Sequence, residues 1–430
     1  MTHLRSLSGS VAICVFLSLT ACATDTNKAS ATPSTNLAPS PQANPITSDN
    51  PTTSQPTFEV WLSEFLAEAK QQGVSETTLK SALPYLRLNA KVLELDQQQP
   101  EFTQTFWTYI DKRLSEVRVQ AGKLQAFRFQ TFLQKVEQEQ GLPAEILVAF
   151  WGLETNYGTY LGNFNTLEAL TTLAYDPRRS SFFRKELLAA IKIIDQGHIN
   201  ASEMKGSWAG AIGQMQFMPS VFLKHATDAD GDQKANLWKS TEDALTSAAI
   251  YLKRSGWQSG QPWLQEIQLP AVFDYALADG KQEFKRDELN KLGIKPIANQ
   301  PWQGTAEDRV QLLLPAGYEG PAFVIWPNFK VIKRWNNSNN YALSVGLLAA
   351  KLAGKPGLQA KQPANIKPWP KSFIAQLQQT LTDKGYDTGG VDGWFGSKST
   401  QALRQFQKAN NLPADGYPNH ATLQLLQLAP

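Results

Sequence analysis

From Phe58 onward apolar residues recur at helical spacing, and they do so along most of the chain. Phe58, Trp61, Phe65 and Ala69 share one face of a 3.6-residue helix. Gly73 breaks that pattern, and Ser75 is placed to cap a second helix. Further helical patterns run over 102–110, 126–138, 144–156, 183–197 and 241–255. Residues 266–332 change character: 310–314 and 322–326 are short apolar runs bounded by Pro and Gly, which predict a few strands. The Pro-rich stretch 356–370 reads as a semi-flexible linker. Beyond it, apolar stripes at 374–381 and 400–407 are punctuated by the turn pairs Asp392-Gly393 and Asp415-Gly416. Residues 22–56 are rich in Pro, Ser, Thr, Asn and Ala and nearly lack large apolar side chains. Such a segment cannot bury enough surface to offset its ordering entropy, so it is expected to be a disordered tether. The pattern predicts a mainly α (α+β) protein with a small β excursion and a small helical C-terminal domain.

One charge falls on the apolar face of the helical pattern at 144–156. Leu147, Phe150 and Glu154 fall on one face, with Trp151 bordering it, Pro143 suited to the first turn and Gly158 to the stop. A carboxyl group in apolar surroundings loses hydration of its charged form and can retain a proton near neutrality, as a general acid must. The alternative is an edge residue whose carboxylate reaches water. A second segment, 205–219, places Gly206, Gly210 and Gly213 among Ser207, Gln214 and Gln216. That density of glycine allows close backbone approach. The uncharged hydroxyl and amides suit a neutral, hydroxyl-rich ligand such as a sugar, and tight helix packing is the competing reading.

Taken together, Gly152-Leu-Glu154-Thr-Asn-Tyr-Gly158 and Gly206-Ser207-Trp-Ala-Gly-Ala-Ile-Gly-Gln-Met-Gln216-Phe-Met-Pro-Ser220 closely resemble the membrane-bound lytic murein transglycosylase B family. Three more blocks, at 95–102, 175–179 and 335–342, extend the resemblance over about 57–355 in the family's order. It implies a lysozyme-like helical catalytic domain with Glu154 as the catalytic acid. Ser207, Gln216 and Phe217 match substrate-binding positions, and Asn336 and Tyr341 match positions near the acid. Trp335 stands where an aromatic residue, often Tyr, is expected; stacking on a sugar would survive that change, but a phenolic hydrogen bond would not. Residues 371–430 resemble the three-helix peptidoglycan-binding domain appended to many cell-wall enzymes, with Leu403 and Phe406 as core. For that module, glycan binding and a spacer role both remain open.

The bulk numbers fit this picture. The chain has 430 residues, of which 42% are hydrophobic and 18% charged, enough for two or three globular domains. A formal net charge of +3 leaves no nucleic-acid footprint. Both cysteines, Cys14 and Cys22, lie in the first 22 residues. Arg5 precedes an apolar run at 11–19 that is too short for a comfortable membrane span. Leu19-Thr-Ala-Cys22 resembles the bacterial lipoprotein box, which implies a signal peptide at 1–21 and lipidation of Cys22. An ordinary signal peptide is the alternative. Ala23, rather than Asp, follows the cysteine and favours the outer membrane, facing the periplasm of a Gram-negative bacterium. No disulfide is then expected in the mature protein.

Asp228, Asp230 and Asp232 alternate in a loop, and a hard cation among them would relieve their repulsion. Lys234 would supply a backbone carbonyl, as position 7 of an EF-hand does. The loop departs from that motif in carrying Gln233 for Gly and Lys239 for the closing Glu; Asp243, or its neighbour Glu242, is the replacement expected here. A structural calcium is therefore one reading and a solvated acidic turn the other.

The resemblance implies cleavage of the MurNAc-β-1,4-GlcNAc bond without water, giving 1,6-anhydroMurNAc ends, with Glu154 as acid and then base. No cofactor is required for that chemistry. The expected partners are peptidoglycan strands and, through the lipid, a membrane, with the protein a monomer. A water-using muramidase and a non-catalytic wall anchor are the rivals; the first would leave reducing ends.

Overall fold

The computed structural model describes residues 55–97, 104–362 and 369–429, which lie within one compact unit. Cys22, the leader, the tether to 54, residues 98–102 of the 95–102 block and residues 363–368 of the linker fall outside the described residues. No helix among the described residues is long and apolar enough to cross a membrane.

At the centre lies the helix Ala144–Thr155, buried along its length from Ile146 to Thr155. A helix apolar on every side must be enclosed, and this one packs against Asn339–Leu352, Glu116–Arg128, Gln130–Gln140 and Thr241–Arg254. Pro143 sits just before its first turn, and because Pro has no capping side chain, Glu137 Oε2 accepts the Ala144 N–H at 3.2 Å. Three boundaries differ from the periodicity. The pattern at 102–110 forms the helix Phe106–Arg113, capped by Thr105. The pattern at 126–138 is divided between Glu116–Arg128 and Gln130–Gln140, which meet at Phe129 (φ −102°, ψ 19°). Neither Gly nor Pro marks that break; the Phe129 ring packs edge-on against Trp151 at 5.8 Å, so tertiary contact overrides the local pattern. The central helix stops at Thr155, before Gly158.

The β excursion is an antiparallel sheet in the order Phe284–Lys285, Arg309–Leu313, Ala322–Ile325, Leu264–Gln268, Lys295–Pro296. Its two faces serve different cores. Leu313, Phe323 and Ile325 join the main helical core, while Val310, Leu312, Ala322 and Val324 build a second one with Ile267 and Trp326. Because side chains alternate across a strand, burial on both faces makes these strands read as continuous apolar runs.

The helices Lys371–Asp383, Ser397–Ala409 and His420–Leu426 enclose a separate small core around Ile374, Leu377, Leu403 and Phe406. Two buried glutamines organise it in the same way. The Gln378 amide donates to Asp392 Oδ1 and accepts the Gly393 N–H, both at 2.8 Å. Gln407 donates to Asp415 Oδ1 at 2.8 Å and accepts the Gly416 N–H at 2.7 Å. The module is also fastened to the sheet region. Arg404 donates to the carbonyls of Tyr275 and Ala278 at 3.2 and 2.8 Å, and Asp415 Oδ2 accepts the Tyr318 N–H at 2.9 Å. The expected semi-flexible linker is held as well: Glu266 accepts the N–H groups of Gln359 and Ala360, each at 2.8 Å.

Candidate active site

Glu154 occupies the last turn of the central helix and is 8% exposed, so it is not an edge residue reaching water. The Tyr341 hydroxyl donates to its Oε1. One turn earlier Phe150 lies against Trp335 at 4.7 Å and Tyr341 at 6.1 Å, giving the acid an aromatic floor. The helix closes by bonds from Asn156 N–H to Gly152 O and from Tyr157 N–H to Trp151 O, both 3.2 Å. Asn156 and Tyr157 are left-handed (φ 49° and 62°), as is Gly158, the backbone such a closure requires. What holds two non-glycine residues there is the Tyr157 ring, which fills space that a Cβ at Gly152 would enter to within 2.6 Å. Its hydroxyl donates to Arg118 O at 2.8 Å, and burial raises its pKa well above the usual tyrosine range.

The second segment comes alongside as a glycine-rich turn. Ile212 and Phe217 exchange backbone bonds at 2.8 and 2.9 Å around Gln216, which is left-handed at φ 49°. Gly206 is required by a close approach, since a Cβ there would lie 2.2 Å from Ala211 O. Ser207 is closed inside this turn, 2% exposed, with its hydroxyl accepting the Ala211 N–H at 3.0 Å. Gln216 donates its amide hydrogens to Leu161 O at 3.1 Å and Gly213 O at 3.0 Å. Phe217 packs on Trp335 at 5.2 Å.

Trp335 ends the helix Pro327–Trp335. Its ring is enclosed by Phe150, Phe217 and Tyr251 and is 7% exposed. The structure thus packs Trp335 into the aromatic floor beneath the acid's own turn, with little of its ring exposed. Asn336 is buried immediately after it, and Ser338 caps the next helix by accepting the Tyr341 N–H at 3.2 Å. This short turn thus delivers both Asn336 and Tyr341. Sequence reasoning missed Tyr251, whose ring contacts Trp335 at 5.3 Å and Phe217 at 5.9 Å and whose hydroxyl donates to Arg334 O at 3.1 Å. It belongs to an ordinary amphipathic stripe, and nothing local distinguishes it.

The acidic loop lies in a separate segment. Oxygens of Asp228, Asp230 and Asp232 come within 4.8 Å of one another on the surface. Asp228 accepts the N–H groups of Gly231 and Gln233 at 2.6 and 2.7 Å, and Asp232 accepts that of Lys234 at 2.8 Å. Gln233 adopts φ 70°, so the backbone makes the turn for which an EF-hand employs Gly. Three hard oxygen donors at this spacing fit a calcium ion. Asp243, the ligand expected from the following helix, reaches the backbone of this loop. It is wholly buried and accepts the N–H groups of Ala229 and Asn236, each at 2.7 Å, clamping both ends of the loop. Burial pushes its carboxyl pKa up, against the pull of those N–H groups.

The transglycosylase SLT domain family matches residues 57–350, and a peptidoglycan binding domain family matches 371–426. The membrane-bound lytic murein transglycosylase B of Escherichia coli K12 is 29% identical over 359 residues, covering 79% of this chain and 96% of its own. The crystal structure of SltB3 from Pseudomonas aeruginosa, in complex with NAG-anhNAM-pentapeptide, superposes with a TM-score of 0.82 at 40% identity, over 86% of this chain and 99% of that one. The Escherichia coli lytic transglycosylase Slt35, in complex with calcium, gives 0.58 at 30% identity, over 68% of this chain and 92% of its own.

Proposed function

The chain belongs to the transglycosylase SLT domain family, and on that premise we propose how it acts as a lytic murein transglycosylase on peptidoglycan. Glu154 donates its proton to the glycosidic oxygen between MurNAc and GlcNAc, and the bond breaks with oxocarbenium-like charge on the MurNAc ring. The C6 hydroxyl of that same MurNAc attacks its own anomeric carbon, and the Glu154 carboxylate recovers the hydroxyl proton. The products are a 1,6-anhydroMurNAc end and a GlcNAc with a free 4-hydroxyl. One acid serves both steps, so the paired carboxylates of hydrolytic glycosidases are not needed. The observation that carries this reading is the placement of Glu154, enclosed above Phe150 with the Tyr341 hydroxyl fixing one of its oxygens. Mass analysis of the products from purified sacculi tests it. Anhydro ends are expected; reducing ends would assign a muramidase, and no release would assign a wall-anchoring protein.

The membrane-bound name of the Escherichia coli relative and the Leu19–Cys22 sequence both support an outer-membrane lipoprotein facing the periplasm. Cys22→Ser is then expected to release the protein from the membrane fraction or leave it unprocessed, because the buried acyl chains would be what holds it there. Unchanged fractionation would refute the lipid. The C-terminal module is proposed to bind peptidoglycan, in keeping with the family it matches. Calcium at Asp228, Asp230 and Asp232 is proposed as a structural ion. The support is the donor set and the calcium in the Slt35 complex; no catalytic step passes through the ion.

A further inference from the structure

A single hydroxyl joins the acid-bearing helix to the glycine-rich turn. Thr155 follows Glu154 directly and is 1% exposed. Its Oγ1 donates to Gln214 O at 2.7 Å and accepts the Gly158 N–H at 3.0 Å. A threonine inside a helix ordinarily returns its hydroxyl proton to the carbonyl four residues back. Here that carbonyl, Trp151 O, is 3.5 Å away and already accepts the Tyr157 N–H. The shorter bond crosses to the other segment, so the hydroxyl is committed to the link. Gln214 stands two residues before Gln216, whose own N–H returns to Gly213 O at 3.2 Å. The Gln216 side-chain amide also donates to Gly213 O at 3.0 Å, so it is tied to the backbone that leads directly into Gln214.

We propose that Thr155 is a positioning residue for the reaction: its hydroxyl sets the separation between the Glu154 carboxyl and the Gln216 amide. The inference rests on Glu154 being the acid. The left-handed run Asn156-Tyr157-Gly158 serves the same arrangement by turning the Gly158 N–H back onto Thr155. Without the hydroxyl, the buried Gln214 O loses its donor, the part-buried Gly158 N–H loses its acceptor, and the hydrogen-bonded link between the two segments is gone. Misplacement of catalytic groups by about 1 Å costs on the order of 10²-fold in rate.

The test compares Thr155→Val, Thr155→Ser and Glu154→Gln in the full chain, with a soluble glycan fragment as substrate. Thr155→Val is expected to lower kcat by about 10- to 100-fold while KM moves by less than about threefold. Thr155→Ser keeps the donor and is expected to restore kcat to within about threefold of the parent. Should the valine variant fail to fold, Thr155→Cys takes its place, close to Ser in size but with a weak donor. A Val or Cys variant with parental kcat overturns the proposal. So does a Ser variant as impaired as Val, or a loss expressed mainly in KM. An inactive Glu154→Gln beside a fully active Thr155→Val sinks this inference alone, whereas an active Glu154→Gln sinks the assignment of the acid.

Discussion

Gln407 and Gln216 are buried glutamines that each bracket a turn, and the two turns use them differently. In the C-terminal module, Gln407 donates to Asp415, Tyr417 O and Thr422 and accepts the Gly416 N–H, so both ends of its amide are consumed. Beside Glu154, Gln216 donates to Leu161 O and Gly213 O, but its Oε1 accepts no hydrogen bond from any described residue. Both hold a left-handed backbone, at Gly416 and at Gln216 itself. A fully satisfied amide is an element of structure. One that keeps an acceptor in hand can also receive a sugar hydroxyl, and this separates the site from the scaffold more sharply than residue type does.

The largest effect is expected on the site side. Glu154→Gln, nearly isosteric but unable to donate and recover a proton, should lower release of soluble fragments by on the order of 10²–10⁴-fold. Its melting temperature should stay close to the parent's. The two glutamines should then give opposite patterns. Gln216→Leu should cost about 10- to 100-fold in kcat/KM, the worth of about 1–3 kcal/mol at one buried polar contact, with a smaller change in melting temperature. Gln407→Leu should lower the module's stability by about 3 kcal/mol or more, since several groups lose their partner together, and should spare cleavage of short soluble glycans. Equal loss of activity from both variants would erase the distinction.

The acidic loop is another left-handed turn, bracketed by carboxylates in place of an amide. Calcium added to chelator-treated protein should stabilise it by about 2.7 kcal/mol at a hundredfold excess over Kd. Asp228→Ala combined with Asp232→Ala should abolish the rise in melting temperature. Identical melting curves with calcium and with chelator would leave an ordinary acidic turn. The smallest effect concerns Asp415, whose pKa is raised mainly by burial despite the N–H groups it accepts. A carboxyl with a raised folded pKa contributes stability that is full below its unfolded value and is lost as pH rises through the folded one. Melting temperature followed upward from about pH 4 should therefore fall more in the parent than in Asp415→Asn. Parallel curves would count against that sign.

Much of this was legible in the sequence because it is local. The helix around Glu154 follows from periodicity, and the strands at 309–313 and 322–325 follow from short apolar runs bounded by turn residues. What stayed hidden depends on contacts between distant segments. The break at Phe129 is set by Trp151, and the use of Trp335 as floor by Phe150 and Phe217. The bonds from the Ala229 and Asn236 N–H groups to Asp243 likewise form only once the folded chain brings the loop to it. Thr155 carried no signal beyond its place beside Glu154, since a helical threonine is most often silent.

The bonds of Arg404, Asp415 and Glu266 carry a thermodynamic consequence for the C-terminal module. A binding domain on a slack leash sweeps out a volume, and its benefit is an effective concentration that depends on leash length. A domain held by carbonyls and amides of its neighbour sweeps out very little. The entropy of bringing two binding surfaces to one spacing is spent while the chain folds, so a ligand spanning both meets a preorganised pair. If the module binds glycan as proposed, the pair would work as a caliper, in which the repeat length and stiffness of the polymer, more than the length of the connecting chain, decide how well both ends engage.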